Sequence, residues 1–448
     1  MPFEKEKFLS KIHDKSIKIG VIGLGKMGLP ISLVFSNAGF EVNGYDISLE
    51  LVDNLNKGRS NLDKEPFVNE RLMSSIENNS FKAHSELNEK ILTSDVIIVI
   101  VPILNHEDGS QNLENLISLY RNLSNKLMND VLFVQESTLA PGTCEKVLWP
   151  IISKEINKQN SLNFGLVFAP ERTFSGRVIE DIETNYPKIV GGIYDEHAIV
   201  GQALYEKVAK KGVIKVKNAT TAEAIKTFKG AYRDINIAIA NQFAKMADKY
   251  NIDIIEIIDV ANTEPYSNIH MPGLGVGGHC IPVYPKFLIN SGLEYKFDAD
   301  LLINARNIND SMVKYCVDTL KNIKIQFDNL LILGVAYRGG VKEYRNSPSI
   351  RLVPELMKNF DIEIKIADPL YDENELKNIF NMEIGISFNE LNIDSFDAIV
   401  ICTDHDEFRK INFGKTKANI IFDGRYVVED SEVGDKLIIQ PGRFFKIK

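Results

Sequence analysis

Short apolar runs rich in β-branched residues alternate with helical patterns along the first half of the chain. The runs read IKIGVI, VNGY, VIIVIVP, VLFVQES and FGLVFAP. This alternation is typical of parallel strands joined by crossover helices, because strands that are buried on both faces are apolar throughout. A second alternation begins near Leu330 with LLILGV, IEIKIAD, AIVICTD and NIIFD. The pattern predicts two separate α/β domains.

A long helix is predicted between the two alternations, from Thr220 to Tyr250. This segment contains no glycine or proline after Gly230, and its apolar residues recur at spacings of three and four. The residues on this apolar pattern are Ile225, Phe228, Tyr232, Ile235, Ile239, Phe243 and Met246.

The predicted fold class is α/β, with two Rossmann-like doubly wound domains joined by a long central helix and a helical middle domain. We place the first domain at residues 1–205, the helical middle at 206–315 and the second α/β domain at 316–448. A chain of 448 residues agrees with such a division, because a single hydrophobic core stops growing at roughly 250 to 300 residues.

Composition and charge exclude several classes of protein. Apolar residues make up 44% and charged residues 25% of the chain, which is the ordinary globular range. No apolar run approaches the roughly 20 residues that span a bilayer, and the charged N-terminus lacks the apolar stretch of a secretory signal. A net charge of −9 disfavours a nucleic-acid surface. We therefore expect a soluble, cytoplasmic protein with no nucleic-acid or membrane partner.

Four cysteines are scattered along the chain without a CxxC pair, which argues against a disulfide framework and a zinc site. We predict no metal. Cys144, Cys316 and Cys402 lie in ordinary helix or strand patterns and are interpreted as structural. Cys280 differs, because it lies beside His279 in the glycine-rich segment MPGLGVGGHCIPVYPKF. Glycine is costly to order, so this segment suggests a loop whose backbone approaches a ligand and whose thiol could be activated.

A phosphate-binding turn is predicted at GLGKMG, which contains Gly23, Gly25, Lys26, Met27 and Gly28. The turn follows the first predicted strand and opens a helical run. Its glycines allow a tight turn and close approach of the backbone to a pyrophosphate, while the helix N-terminus supplies free N–H donors.

Asp46 ends the next predicted strand. A carboxylate there would accept hydrogen bonds from a ribose diol and repel a 2′-phosphate. No Lys or Arg follows Asp46 before Lys57, so the usual cation for a 2′-phosphate is missing. Strand, turn, helix and acid together predict an NAD site rather than an NADP site.

The loop GVGGHCIP resembles the active-site loop of the UDP-glucose/GDP-mannose dehydrogenase family. Its GGHC form is similar to members that oxidise UDP-N-acetylhexosamines more than to the UDP-glucose enzymes. Other segments resemble the family in family order, so the resemblance covers nearly the whole chain. They are STLAPGT (137–143), APER (169–172), TAEAIKTF (221–228), YRDINIAIANQ (232–242) and YRNSPS (344–349).

The resemblance implies an NAD-dependent UDP-sugar 6-dehydrogenase. Its substrate would be a UDP-N-acetylhexosamine of the GlcNAc, GalNAc or ManNAc type, whose C6 hydroxyl becomes a carboxylate. Cys280 would be the nucleophile that holds the aldehyde as a thiohemiacetal and then the acid as a thioester. Lys226 would assist the first step and stabilise oxyanions. Thr138 and Glu171 would orient a water, with Glu171 as the base for thioester hydrolysis.

The resemblance also implies the binding residues and the assembly. Beyond the turn and Asp46, the predicted cofactor contacts are Val101, Pro102, Thr138 and Arg345. The predicted substrate contacts are Glu171, Arg172, Lys226, His270, Gly273, Gly277, His279, Arg338 and Arg425. The two last arginines match basic positions near the UDP moiety, for which a guanidinium is well shaped. The middle domain would form a homodimer or a larger homo-oligomer.

Three positions depart from the family pattern. Gly230 stands where the family usually has Asn, and Tyr284 stands where it usually has Asp. Tyr266 stands at a position aligned with a substrate-binding Arg. These changes remove an amide and a carboxylate from the inner part of the site. Lys229, Tyr284 or His270 is expected to take over some of their work.

Three other hypotheses stay open. A UDP-glucose 6-dehydrogenase would have the same fold, although the GGHC loop argues against it. A two-electron hydroxy-acid dehydrogenase would share the first domain and a long helix, but it has no use for Cys280. A catalytically silent nucleotide-sugar binding protein would fit the changes at Gly230 and Tyr284, because fold and binding motifs do not guarantee chemistry.

Overall fold

The computed structural model describes residues 3–62, 65–106, 108–158, 162–323, 325–429 and 436–445. The chain divides into two compact units, Met1–Phe228 and Lys229–Lys448. The predicted α/β fold, with two doubly wound sheets and a helical middle section, is confirmed. The division into three domains at the boundaries given above stays a prediction.

The first unit is built on a mostly parallel sheet. Its strands are β1 (Lys18–Ile22), β2 (Glu41–Tyr45), β3 (Phe81–His84), β4 (Val96–Val99), β5 (Leu104–Asn105), β6 (Gln111–Asn112), β7 (Val131–Gln135), β8 (Phe164–Phe168), β9 (Lys188–Gly192) and β10 (Val213–Lys215). Eight described strands form one sheet in the order β10-β9-β8-β7-β4-β1-β2-β3, and β5 pairs with β6. Only β9 runs antiparallel to its neighbour β8 within the large sheet. The five predicted apolar runs coincide with β1, β2, β4, β7 and β8.

Helices cover both faces of this sheet. They are α1 (Lys5–His13), α2 (Gly28–Asn37), α3 (Leu49–Asn56), α4 (Val68–Glu77), α5 (Glu89–Leu92), α6 (Glu114–Lys126), α7 (Trp149–Asn157), α8 (Val178–Glu180) and α9 (Asp195–Tyr205), with π-helical turns at Cys144–Leu148 and Asp181–Asn185. Successive strand residues enter two different hydrophobic clusters, as Ile98 on one face and Ile97 on the other illustrate. Such strands must be apolar at every position, which explains why their runs are continuous.

The second unit contains a smaller sheet and most of the long helix. The predicted helix is confirmed as α10 (Ala219–Tyr250), and the boundary between the units lies within it. The later helices are α11 (Ile254–Ala261), α12 (Tyr284–Tyr295), α13 (Asp300–Asp310), α14 (Met312–Asn322), α15 (Pro348–Asn359) and α16 (Glu373–Phe380), with short 3-10 turns at Phe388–Glu390, Ile393–Ser395, Phe408–Lys410 and Phe413–Lys415. No helix in the described part of the chain is long and apolar enough to cross a membrane.

The strands of the second sheet are β11 (Asn329–Leu333), β12 (Glu363–Ala367), β13 (Ala398–Ile401), β14 (Ile420–Asp423), β15 (Leu437–Gln440) and β16 (Arg443–Phe445). Their order is β12-β11-β13-β14-β15-β16. All neighbours pair in parallel except β15 and β16. The four predicted runs of the second alternation coincide with β11, β12, β13 and β14.

A buried polar network fixes α10 against α13. Arg306 forms an ion pair with Asp234 at 2.6 Å, and both side chains are buried. Asn309 donates to the same carboxylate at 2.8 Å and accepts a hydrogen bond from Asn241 at 2.9 Å. The side-chain oxygen of Asn241 in turn accepts the backbone N–H of Gly273 at 2.8 Å. Since buried polar groups that lose a partner are costly, this network also holds the start of the cysteine loop.

The helices α10 and α12 pack closely at Gly230. A Cβ atom built on Gly230 would lie 2.4 Å from Cδ2 of Tyr284 and 3.0 Å from its Cβ. Tyr284 is buried, so its ring has no open space into which it could move. The two departures from the family pattern therefore occupy one packing position, where the missing side chain of one residue makes room for the ring of the other.

We predict that Gly230→Ala lowers the free energy of unfolding by about 1–3 kcal/mol, because overpacking outweighs a gain in helix propensity of about 1 kcal/mol. In a Tyr284→Ala background the same substitution should be stabilising, since only the propensity term then remains. Urea unfolding of the four proteins in this cycle measures the coupling. Equal effects of Gly230→Ala in both backgrounds would contradict the packing argument.

His197 is a buried, uncharged part of the core of the first unit. Its Nδ1 accepts the N–H of Leu166 at 3.3 Å, and its ring lies 5.5 Å from that of Trp149. Burial lowers the pKa of His197 to about 4. The unfolded chain, in which this pKa returns to about 6.5, therefore binds a proton over a pH range where the folded chain does not.

Stability should accordingly fall as the pH drops from 6.5 towards 4, by up to ~3 kcal/mol from this residue. His197→Asn removes the titration but keeps an acceptor for the N–H of Leu166. We expect the variant to be less stable at pH 7, because aromatic packing is lost, yet to lose less stability on acidification. Fluorescence of Trp149, the single tryptophan, reports urea unfolding at each pH. An unchanged pH slope would refute the assignment.

Candidate active site

Most predicted site residues of the first unit lie at one edge of its sheet. The strands β1, β2, β4, β7 and β8 are parallel neighbours, so their carboxyl ends meet at that edge. Ligands of open α/β sheets bind there, where the strand order reverses. The residues that follow these strands include Gly23, Gly25, Lys26, Met27, Gly28, Asp46, Val101, Pro102, Thr138, Glu171 and Arg172.

The glycine turn has the geometry that a pyrophosphate requires. Gly23 has φ 91°, and a Cβ on Gly28 would lie 1.7 Å from the carbonyl oxygen of Gly23. Side chains are therefore excluded at both ends of the turn. A Cβ on Gly25 would meet nothing within 4 Å, so the middle of the turn faces open space. The N-terminus of α2 begins at this point, which adds free N–H donors for an anion.

Asp46 is tied to the same turn. Its carboxylate accepts the N–H of Leu24 at 2.9 Å and the N–H of Ser48 at 3.0 Å. The side chain remains partly exposed, so its other lone pairs can accept hydrogen bonds from the two hydroxyls of a ribose. The turn, the helix and this carboxylate fit the adenosine diphosphate part of NAD.

The loops after β4 and β7 are joined by side chains. Ser137 donates to the carbonyl oxygen of Val101 at 2.7 Å. Gln111 donates to the carbonyl oxygen of Thr138 at 3.3 Å and accepts the N–H of Ala140 at 2.8 Å. These contacts bring the predicted cofactor residue Val101 and the predicted catalytic residue Thr138 onto one connected surface.

Glu223 also fixes the loop after β7. Its carboxylate accepts the N–H of Gly142 at 2.6 Å and the N–H of Cys144 at 2.8 Å. Burial raises the pKa of Glu223 to about 7, although these two donors oppose the rise. The side chain comes from the first turns of α10, so this helix fixes the STLAPGT segment.

Two of the predicted catalytic residues, Glu171 and Lys226, are in direct contact. The Lys226 ammonium donates to the main-chain carbonyl of Glu171. The carboxylate of Glu171 is buried and forms an ion pair with Lys188, which sequence reasoning missed. Arg172 donates to the carbonyl of Pro187, the residue directly before Lys188.

Two further residues join this buried cluster. Lys188 also donates to Glu136 at 3.0 Å, and Tyr205 donates to the same Glu136 carboxylate. Glu136 follows β7, Lys188 begins β9 and Tyr205 ends α9, so no short motif contains them. In the sequence, the one local feature that could have indicated this cluster is Glu136, an acidic residue directly after a buried strand.

The cysteine loop of the second unit is fixed by its glycines. Gly278 has φ 89°, and its N–H donates to the carbonyl oxygen of Arg345 at 2.8 Å. Asn346 donates to the carbonyl oxygen of Gly278 at 2.9 Å. A Cβ on Gly277 would lie 2.6 Å from Cβ of Tyr337, so the loop passes too closely for any side chain there. The YRNSPS segment thus holds the backbone directly before Cys280.

Cys280 is partly exposed, in contrast to the other three cysteines, which are buried. Burial raises the pKa of Cys402 to about 12 and holds the pKa values of Cys144 and Cys316 well above that of a free thiol, so these thiols are poor nucleophiles. A hydrogen bond to the sulfur of Cys280 raises the pKa of His279. A protonated imidazole beside the sulfur favours the thiolate, which is the nucleophilic form.

The predicted UDP-binding arginines lie at the carboxyl edge of the second sheet. Arg425, after β14, donates to the carbonyl oxygens of Cys402 and Tyr337, each at 2.9 Å. Its backbone neighbour Gly424 accepts the N–H of Leu274 at 3.2 Å, which joins this edge to the cysteine loop. Arg338, after β11, is half-buried, and its Nε has no hydrogen-bond partner within the described residues. An acceptor from a ligand would satisfy that donor.

Asp368 directly follows β12 of the second sheet, as Asp46 directly follows β2 of the first. It is fully buried, accepts the N–H groups of Val335 and Ala336 at 2.8 and 3.1 Å, and contacts His405 at 3.1 Å. No lone pair of this carboxylate is left facing solvent for a ribose diol. Of the two acids, only Asp46 fits the cofactor.

Three remaining positions named in the sequence analysis, Arg345, Tyr266 and His270, have exposed side chains. Arg345 is 64% exposed and donates to Glu343 at 3.2 Å. Tyr266 is 93% exposed and His270 is exposed, so neither is fixed by packing. Across the described residues, no group of three or more His, Cys, Asp or Glu side chains could hold a metal ion.

The chain matches all three domains of one family. The NAD binding domain of the UDP-glucose/GDP-mannose dehydrogenase family matches residues 17–209. The central domain of the family matches residues 220–311, and its UDP binding domain matches residues 331–430. The two arginines described above lie within the last of these ranges.

Individual relatives agree over nearly their whole length. A UDP-N-acetyl-D-mannosamine dehydrogenase of Pyrococcus horikoshii is 34% identical, covering 93% of this chain and 97% of the relative. A solved structure of the UDP-D-ManNAc dehydrogenase from Pyrococcus horikoshii has a TM-score of 0.82 at 32% identity, covering 95% of this chain and 99% of that chain. The native structure of the UDP-N-acetyl-mannosamine dehydrogenase from Staphylococcus aureus has a TM-score of 0.81 at 30% identity, covering 95% and 98%.

These matches confirm the family, the enzyme class and the cofactor that the sequence predicted. The glycine turn and Asp46 lie in the range matched by the NAD binding domain, where their geometry fits that cofactor. The chain therefore belongs to the UDP-glucose/GDP-mannose dehydrogenase family and is an NAD-dependent nucleotide-sugar dehydrogenase.

Proposed function

We propose that the protein oxidises the C6 hydroxyl of a UDP-N-acetylhexosamine to a carboxylate, with Cys280 as the covalent nucleophile. The observation that carries this proposal is the partly exposed Cys280 sulfur, hydrogen-bonded to His279 in a loop that leaves no room for a side chain at Gly277. The relatives named above act on UDP-N-acetylmannosamine. This sugar is therefore the first candidate substrate, ahead of the GlcNAc and GalNAc types.

The reaction removes four electrons from one carbon. The alcohol first loses a hydride and a proton to become an aldehyde, and the Cys280 thiolate adds to that aldehyde to form a thiohemiacetal. Loss of a second hydride gives a thioester. Water attacks the acyl carbon, the C–S bond breaks and the thiolate leaves, so the product is a carboxylate. NAD, when bound, supplies the hydride acceptor for each of the two oxidations.

Three residues of the first unit have the remaining proposed roles. We assign to the Lys226 ammonium the stabilisation of developing oxyanions, and to Thr138 the orientation of the hydrolytic water. Glu171 takes a proton from that water as it attacks the thioester. Lys226 supports this assignment, because it already donates to the main-chain carbonyl of Glu171.

The binding residues follow the sequence prediction. Gly23, Gly25, Lys26, Met27 and Gly28 would hold the pyrophosphate of NAD, with Asp46 on the ribose and Val101, Pro102, Thr138 and Arg345 as further contacts. Arg338 and Arg425 would bind the UDP moiety. The support is the Nε of Arg338, which has no hydrogen-bond partner among the residues that the structure describes. The remaining proposed substrate contacts are Glu171, Arg172, Lys226, His270, Gly273, Gly277 and His279.

The experiment that tests the function counts NADH per sugar. With UDP-N-acetylmannosamine, -glucosamine, -galactosamine and UDP-glucose offered separately, we expect turnover of an N-acetylated sugar and two NADH for each sugar consumed. Cys280→Ser should abolish this yield, whereas Cys316→Ala, at a buried cysteine, should preserve it. One NADH per sugar would indicate a two-electron dehydrogenase. Turnover of UDP-glucose alone would contradict the proposed substrate, and no turnover at all would indicate a binding protein.

We further propose that α10 forms the core of a homodimer. One face of this helix buries its residues in the described fold, whereas apolar residues on another face are exposed. The exposed residues are Phe228, Tyr232, Ile239, Phe243, Met246 and Tyr250. They recur at helical spacing along roughly 33 Å of the helix. A second copy of the chain would cover such a continuous apolar stripe.

Phe243→Lys should therefore lower the mass of the protein in solution to that of one chain, because the substitution places an ammonium in the middle of the stripe. Leu293→Lys is the matched control, since this exposed apolar residue belongs to α12 and not to the stripe. Sedimentation velocity across a range of concentrations measures the mass. If both variants keep the mass of the unsubstituted protein, the stripe is not the interface.

A further inference from the structure

The buried ion cluster of the first unit contains a cation that the proposed reaction does not use. Lys188 is 6% exposed, and its ammonium contacts the carboxylates of Glu136 and Glu171 together. Tyr205 donates to Glu136, and the Lys188 ammonium lies 4.6 Å from the centre of the Tyr205 ring. These four side chains come from three strand ends and one helix end.

The charges in this cluster depend on one another. Two buried carboxylates without a cation would repel each other and lose their solvation, so one of them would take up a proton. Burial lowers the pKa of Lys188, but Glu136 and Glu171 raise it by more, so the ammonium keeps its charge. Burial raises the pKa of Glu136 to about 7 even with Lys188 present. The buried Lys188 ammonium contacts both carboxylates and offsets their repulsion. The Arg172 guanidinium also interacts with Glu171, whereas Lys226 donates to the main-chain carbonyl of Glu171.

The same cluster also fixes Glu171 in space. The Lys188 ammonium holds the Glu171 side chain, while the Lys226 ammonium holds its main-chain carbonyl. Lys188 starts β9, which pairs antiparallel with β8, the strand that leads to Glu171. The pairing of these two strands sets the distance between the ammonium and the carboxylate.

We propose that Lys188 is a positioning residue for hydrolysis of the thioester, because it holds Glu171 in place and keeps it as a carboxylate that can accept the proton of the attacking water. This inference rests on the proposed function of Cys280 and Glu171. Glu136 shares the ammonium with Glu171 and sets the charge that Lys188 must balance. In the hydrolysis itself the water proton passes to Glu171, the new C–O bond forms and the C–S bond to Cys280 breaks.

Lys188→Met tests the proposal by separating the hydride steps from hydrolysis. We expect rapid formation of about two NADH per active site followed by a steady rate reduced by about 10–100-fold, because the thioester then waits for a base. Mass spectrometry of the acid-quenched enzyme should find the acyl group on the peptide that contains Cys280. The acid limb of the pH profile for the steady rate should move to higher pH, since the two carboxylates lose their cation.

Two further variants keep the test independent of folding. Lys188→Arg retains the charge and should restore the acid limb, and Glu136→Gln/Lys188→Met removes one charge of each sign, so its acid limb should move back towards that of the unsubstituted enzyme. Circular dichroism compares the folding of all variants. If the double variant shows the same pH profile as Lys188→Met, the charge argument is overturned.

Glu171→Gln separates the failure of this inference from the failure of the proposed function. If Glu171→Gln gives no burst and no acyl group on Cys280, the assigned roles of Glu171 and Cys280 are wrong. If Glu171→Gln gives both but Lys188→Met behaves as the unsubstituted enzyme does, the base is correctly assigned and Lys188 does not position it.

Discussion

Carboxylates that accept backbone N–H groups hold the loops at the ends of the parallel strands. Asp46 binds the glycine turn, Glu223 binds the segment after β7 and Asp368 binds the turn after β11. Each loop is thereby fixed by an acid from a distant part of the chain. A parallel sheet only brings loops to a common edge, whereas these charge-assisted bonds give each loop one conformation. The binding sites proposed at the carboxyl edges of the two sheets depend on these fixed loop conformations.

In each unit an aspartate directly follows one strand of the sheet, but Asp46 and Asp368 have different surroundings. In the first unit the carboxylate that follows the second strand is half exposed and can serve a ligand, as well as the turn beside it. In the second unit Asp368 gives all its accessible lone pairs to the protein, and His405 covers it. A small difference in burial thus separates a dinucleotide site from a turn that is merely stabilised. The shared topology of the units does not decide this; the surroundings of one side chain do.

Local signals made much of the structure predictable. Nine apolar runs coincide with strands, the long helix follows its spacing of apolar residues, and the glycine turn lies between β1 and α2 as its motif indicates. The strand β9 escaped prediction because its short sequence ends in two glycines. The role of Lys188 was not predicted either. A lysine is usually exposed to solvent, and only the pairing of β9 with β8 shows that this one is buried. The contact between Gly230 and Tyr284 could not be predicted either, because it depends on how two helices pack and the spacing of residues along the sequence does not show this.

That contact has a consequence for how this sequence can change over time. The ring of Tyr284 fills the volume above Gly230, so a larger residue at position 230 costs stability while Tyr284 stays as it is. A larger residue at position 230 is therefore tolerated best after the side chain at position 284 has become smaller. The order of the two substitutions therefore matters. Enlarging position 230 first passes through a less stable protein, whereas shrinking position 284 first avoids the overpacked state.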